Sequence, residues 1–138
     1  MQAVILCGGK GIRLRPLTKK IPKPMLIINK KPFLEHQILF LKNNRIKDFV
    51  FCVGYLWKHI KDYFQDGSSF GVKIKYSIEK NLLGTGGALK IAGDYLKKDF
   101  FVIYGDSYLP INYREFYDTA KKFDKIGVLA VYDNKKNI

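Results

Sequence analysis

The apolar run Gln2-Ala3-Val4-Ile5-Leu6-Cys7 breaks without a spacer into Gly8-Gly9-Lys10-Gly11. A hydrophobic run of strand length that ends in a glycine turn narrows the possible folds sharply. Such a strand is buried on both faces, and the chain after it can turn tightly and bring its backbone close to a ligand. Further runs of strand length follow at 48–54, 72–78, 99–105 and 126–132. Between them lie segments whose apolar residues recur at helical spacing. In 32–44 the stripe is Phe33, Leu34, Gln37, Ile38 and Leu41; in 56–65 it is Leu56, Ile60 and Phe64. In 86–97 it is Ala88, Leu89, Ala92 and Leu96, and in 112–123 it is Tyr113, Phe116, Tyr117, Ala120 and Phe123, with Asn112 as the expected N-cap. Segment 72–78 alternates, with Val72, Ile74, Tyr76 and Ile78 expected inside and Lys73, Lys75 and Ser77 outside. The alternation of strands and helices predicts an α/β fold: an open, mostly parallel sheet with helices on both faces. In such sheets ligands bind beyond the carboxyl ends of the strands, so chemistry should follow strands directly.

Bulk properties limit the function classes. With 138 residues, of which 47% are hydrophobic, the chain can bury a core as one domain. No apolar run reaches the ~20 residues of a membrane span. The amino terminus lacks the basic stretch of a secretory signal, so no membrane partner and a cytoplasmic location are expected. Cys7 and Cys52 fit no metal or redox spacing and read as small buried hydrophobes of a reducing compartment. The net charge of +13 comes from 21 lysines and only four arginines among 25 basic residues. The lysines fall in scattered pairs, as on a solvated surface. Neither a helix-turn-helix nor a set of RNA-recognition aromatics accompanies them, so nucleic acid is not the expected partner. Two of the scarce arginines, Arg13 and Arg15, sit beside the glycine turn. A guanidinium there suits phosphate oxygens.

The glycine turn is neither a dinucleotide fingerprint, since Leu14 stands where its third glycine belongs, nor a Walker loop, which needs Gly-Lys-Ser/Thr. Close behind it comes Pro22-Lys23-Pro24. Each proline fixes its own φ and pushes the preceding residue toward extended geometry, so Lys23 is a cation on a stiff segment. Glycine loop, Arg13 and Lys23 together point to phosphate binding.

The pattern Gly8-Gly9-x-Gly11-x-Arg13-Leu14-x-Pro16-Leu17-Thr18 with Pro22-Lys23-Pro24 resembles the sugar-phosphate nucleotidyltransferase family. The resemblance continues in Asp66-Gly67-Ser68-x-Phe70-Gly71, Leu83-Gly84-Thr85-Gly86-Gly87-Ala88 and Gly105-Asp106. The resemblance is greatest to heptose- and mannose-1-phosphate guanylyltransferase-like members; Ser107 resembles heptose-type members more than thymidylyl ones, whereas Ile12 and Leu82 replace a more usual Thr and Pro.

The resemblance implies a Rossmann-like core of which residues 1–138 form the nucleotide-binding part, without the C-terminal part that carries the sugar pocket and a second metal-binding Asp. It implies a transferase that joins a nucleoside monophosphate from an NTP to a sugar 1-phosphate, giving NDP-sugar and pyrophosphate, with Mg2+ as cofactor. Arg13 and Lys23 would be catalytic; Leu6, Gly8, Gly9, Gly11, Glu79, Gly84 and Thr85 would bind nucleotide; Asp106 would hold the metal. Asp106 could instead be a turn former, and Glu79 a solvated residue at a strand end. A carboxylate at 79 accepts two hydrogen bonds from guanine but one from uracil or thymine, which favours GTP over UTP or dTTP. His36 and His59 fall on helical stretches away from every glycine turn and are expected to be surface or helix-packing residues. Two alternatives stand beside the enzyme: a nucleotide-binding module without turnover, or a chain completed by a second copy or another subunit.

Overall fold

A computed structural model describes residues 1–123 and 125–131. The strands are β1 (Gln2–Cys7), β2 (Ile27–Ile28), β3 (Lys31–Pro32), β4 (Asp48–Val53), β5 (Lys73–Ile78) and β6 (Phe101–Tyr104). The α-helices are α1 (Phe33–Asn43), α2 (Trp57–Phe64), α3 (Gly84–Ile91) and α4 (Tyr113–Ala120). Strands β2 and β3 form a small antiparallel hairpin leading into α1. The other four make a wholly parallel sheet in the order β5-β4-β1-β6.

That order has a direct consequence. From β1 the chain moves outward to β4 and β5, then returns across the sheet to place β6 on the other side of β1. The strand order therefore reverses between β1 and β6, and a crevice opens at the carboxyl ends of those two strands. The glycine turn follows β1, and Gly105-Asp106 follows β6.

Helices pack on both faces of the sheet, on the second face mainly over β1 and β4, with Val102 of β6 left exposed. On one face Ala3, Ile5, Phe49, Phe51, Val53 and Ile103 pack against Leu34, Ile38 and Leu41 of α1, Ile60 and Phe64 of α2, and Tyr113 of α4. On the other, Val4, Val50 and Cys52 meet Ala88 and Ala92, from α3 and the residue capping it. Phe49, Phe51 and Phe64 are fully buried, each contributing about 1.5–3 kcal/mol of transfer free energy. Their rings pack edge to face, with Phe51 and Phe64 5.8 Å apart at 88°.

The predicted elements recur with three corrections. First, α3 begins at Gly84 rather than 86, so the second glycine segment is the first turn of a helix. That helix stops at Ile91, and a 3-10 turn over Gly93–Tyr95 replaces its expected last turns. Second, in β5 the end of the alternation is reversed: Ser77 is buried and Ile78 exposed. Ser77 lies in register with Cys52, under the α3 face, while the last residue of an edge strand has no cover on its other side. Third, residues 126–131 form no strand, and Ile126, Leu129 and Val131 are exposed; position 132 of that expectation lies outside the described residues. Asn112 caps α4 as expected, its Oδ1 accepting from the backbone N–H groups of Arg114 and Glu115, both at 3.1 Å.

Candidate active site

The crevice between β1 and β6 is a cavity of about 520 Å3. Its lining includes every residue to which the resemblance gives a role, Leu6, Gly8, Gly9, Gly11, Arg13, Lys23, Glu79, Gly84, Thr85 and Asp106, but not Arg15.

The loop after β1 owes its shape to Gly11, which adopts φ +60° and starts the 3-10 turn that carries Arg13. A side chain at 11 would be strained by that φ and would sit 3.1 Å from Thr18 Cγ2 and 3.3 Å from Lys23 Cβ. Thr18, fully buried, donates through Oγ1 to the Gly11 carbonyl at 2.8 Å. This one hydrogen bond ties the loop to the segment ahead of Lys23. Lys23 opens a 3-10 turn with Pro24 and Met25 buried beneath it, as the two prolines predict.

The segment after β6 is fixed by close approach. Gly105 N–H donates to Leu6 O at 2.9 Å. A Cβ on Gly105 would lie 2.8 Å from Cys7 Sγ and 3.0 Å from Leu6 O, so only glycine lets the two strand ends come this near. Asp106 then turns into the cavity, where its Oδ2 accepts from Lys23 Nζ at 2.5 Å.

Glu79 is 8% exposed and lines the cavity, so the solvated alternative is not what the structure has. Its Oε2 accepts a long hydrogen bond from Leu83 N–H (3.4 Å), and its Oε1 lies 3.0 Å from where a Cβ on Gly8 would be. Gly84, at φ +70°, has open space where a side chain would stand. The side chain of Thr85 reaches the Tyr104 hydroxyl at 3.5 Å.

Three cations, Lys10, Arg13 and Lys23, face two carboxylates, Glu79 and Asp106, around one cavity. A polyanion carrying a divalent cation fits that balance. Both cysteines are free and buried, which disfavours the thiolate form. Burial, then Cys52 and Asp106, push the Cys7 thiol far above its ordinary value. Burial, then Glu79, raise Cys52 to about 11. His36 bonds the Ile28 carbonyl, and neither His36 nor His59 lines the cavity.

Sequence reasoning missed Tyr104, which lines the cavity but was read only as the end of an apolar strand. It also missed the polar role of Gln37, whose Nε2 donates to the carbonyls of Tyr104 (2.9 Å) and Ser107 (2.6 Å). An amide within the apolar stripe of α1 was the available signal.

A family profile described as "Nucleotidyl transferase" matches residues 2–137. Over 112 residues the chain is 50% identical to D-glycero-alpha-D-manno-heptose 1-phosphate guanylyltransferase of Campylobacter jejuni subsp. jejuni, covering 81% of this chain and 50% of that protein. It is 40% identical to the mannose-1-phosphate guanyltransferase of Saccharomyces cerevisiae, covering 94% of this chain and 37% of that one. Among solved structures, HddC from Yersinia pseudotuberculosis complexed with GMP-PN superposes with a TM-score of 0.77 at 35% identity, over 86% of this chain and 53% of the other. The chain thus spans about half the length of these proteins or less. With the glycine loop, the strand-order reversal and a match along nearly all of its length, the chain belongs to the nucleotidyl transferase family.

Proposed function

We propose that the chain is the nucleotide-binding part of a Mg2+-dependent sugar-1-phosphate nucleotidyltransferase that uses GTP and a heptose or mannose type of sugar 1-phosphate. The convergence of Arg13, Lys23 and Asp106 with the glycine loop on one cavity carries this reading.

An oxygen of the sugar phosphate attacks the α-phosphorus, the bond from that phosphorus to the bridging oxygen breaks, and pyrophosphate leaves with the electron pair. No protein nucleophile is needed. The obstacle is bringing two anions together while charge spreads over the phosphoryl oxygens, so positioning and fixed cations supply most of the catalysis. The glycine loop wraps the triphosphate. Arg13 neutralises charge on the departing pyrophosphate, and Lys23 holds the α-phosphoryl and the sugar phosphate together. Glu79 accepts from guanine N1–H and its exocyclic amine, with Gly84 leaving room for the base and Thr85 beside the ribose.

The residues fit the metal as well. Among the described residues no cluster of three or more His, Cys, Asp or Glu could cage an ion. Asp106 nevertheless presents a partly exposed carboxylate to the cavity. One carboxylate beside phosphate oxygens is the donor set Mg2+ takes, and Asp106 would hold it. When bound, Mg2+ offsets negative charge on the phosphate oxygens.

The names of the heptose and mannose relatives support the guanine preference and the sugar class. The two free, buried thiols fit a reducing cytoplasm. The short span relative to those proteins keeps a second reading in play: a nucleotide-binding module that turns over only with further chain, its own or a partner's. A panel of GTP, UTP and dTTP with Mg2+ and sugar 1-phosphates, followed by pyrophosphate release, tests both. Release that needs sugar 1-phosphate and is fastest with GTP supports the enzyme. GTP binding without release identifies the module, and no nucleotide binding at all overturns both.

A further inference from the structure

We infer that Gln37 is a positioning residue that holds Asp106 at its place over the cavity; this rests on the reading of Asp106 as the metal-holding carboxylate. Gln37 is 3% exposed and sits on the stripe of α1 whose other members, Leu34, Ile38 and Leu41, are fully buried. Packing alone would be satisfied there by another aliphatic side chain, and a primary amide among them is costly unless bonded.

Its bonds have a single target. Both go from Nε2, to the carbonyls of Tyr104 at 2.9 Å and Ser107 at 2.6 Å, and those residues bracket Gly105-Asp106. The amide's orientation is fixed by this pairing, because the opposite one would set Oε1 against two carbonyl oxygens. The Oε1 atom is left buried with no partner among the described residues. The side chain thus satisfies two acceptors on the 104–107 turn while leaving its own acceptor unmet.

The turn is held from a second side. Ser107 N–H closes it on Tyr104 O at 3.1 Å, and Gly105 is seated against Leu6 O and Cys7 Sγ on β1. Held by β1 behind and α1 below, the turn has little freedom to rotate. The Asp106 side chain leaves it toward Lys23 and the cavity. Gln37 does not itself line the cavity, so it acts through the turn it holds, from which Asp106 projects. Groups that orient a metal ligand in this way commonly change metal affinity or activity by ~10–100-fold when removed.

The test is Mn2+ binding in the presence of GTP, followed by the loss of the free Mn2+ signal in electron paramagnetic resonance, with thermal unfolding measured alongside. Gln37→Met keeps the side chain's length and removes its donors. Gln37→Glu turns a carboxylate onto two carbonyl oxygens. Asp106→Asn is the reference. The expected result is Mn2+ affinity ~10-fold weaker in Gln37→Met and weaker still in Gln37→Glu, with GTP affinity within ~3-fold of the parent. Asp106→Asn should lose at least as much Mn2+ affinity. If Asp106→Asn weakens Mn2+ binding while both Gln37 variants bind Mn2+ like the parent, the positioning role is overturned and Gln37 is a packing residue, whatever its effect on unfolding. If Asp106→Asn itself leaves Mn2+ binding unchanged, the metal assignment fails and the role of Gln37 falls with it.

Discussion

Lys23 Nζ lies 2.5 Å from Asp106 Oδ2, joining two residues 83 positions apart in the sequence. Their side chains keep 32% and 40% of their exposure, so the pair is well solvated. Ion pairs this exposed contribute about 0–1 kcal/mol to stability. Its place in the cavity points to function. Lys23→Met should therefore leave thermal unfolding almost unchanged while pyrophosphate release falls by ~10²-fold or more. Because the two groups touch, Lys23→Met combined with Asp106→Asn should cost clearly less than the sum of the single losses. Full additivity would show that they act independently.

Arg13 rides on a 3-10 turn whose start is set by the φ of Gly11. Its planar fork can meet two phosphate oxygens at once, which an ammonium cannot. Arg13→Lys should lower the rate of pyrophosphate release by ~10²-fold, as when one donor to a transition state is lost. An unchanged rate would remove Arg13 from the mechanism.

Glu79 is the buried carboxylate beside Gly8 and the first turn of α3. Replacing it with Gln exchanges one acceptor for a donor facing the base. The preference for GTP over UTP should fall by ~10-fold, since hydrogen bonds to charged groups are worth about 1.5–3 kcal/mol. Competition binding with the two nucleotides measures the ratio. An unchanged ratio would place base recognition elsewhere.

Gly105 marks the closest approach of β6 to β1. Gly105→Ala would place a methyl group 2.8 Å from Cys7 Sγ. The strands must part or the thiol must move, and overpacking of this kind costs about 1–3 kcal/mol. Chemical denaturation should show that loss, together with weakened Mn2+ binding because Asp106 moves with its turn.

Glu35 is a buried carboxylate on α1, held by Lys31 at 2.7 Å and by the Tyr63 hydroxyl at 2.6 Å. Burial works against its ionisation, but the bonds from Lys31 and Tyr63 outweigh it and leave the carboxyl below its ordinary value. The same bond to Glu35, with burial, pushes the Tyr63 phenol up to about 12. A depressed folded-state value contributes stability above the unfolded value of about 4.3, and that contribution is lost as pH falls through the folded one. Glu35→Gln should thus be less stable than the parent by about 1–3 kcal/mol at neutral pH, with the gap closing as pH drops below about 4. A gap that stays constant across this range would mean that the charge of Glu35 does not matter.

Local sequence determined the strands, the helices and the glycine loop, because each depends on nearest neighbours: apolar runs, helical spacing, φ values open to glycine and fixed by proline. The local settings of Arg13, beside the glycine turn, and of Lys23, on a segment stiffened by two prolines, were legible for the same reason. Tertiary structure decided the rest. Glu79 could be read as solvated or as buried until the sheet placed it beside Gly8 in the cavity lining. Gln37 looked like one more position on a helical stripe until α1 packed under the turn after β6 and gave its amide two carbonyls. Residues 126–131 carry a strand's composition but form none, since β-structure requires a neighbouring edge to accept its hydrogen bonds, and composition alone supplies no neighbour. The pairing of Lys23 with Asp106 was likewise out of reach of local rules. It depends on β6 crossing the sheet to lie beside β1, and only that crossing brings the two side chains to one rim.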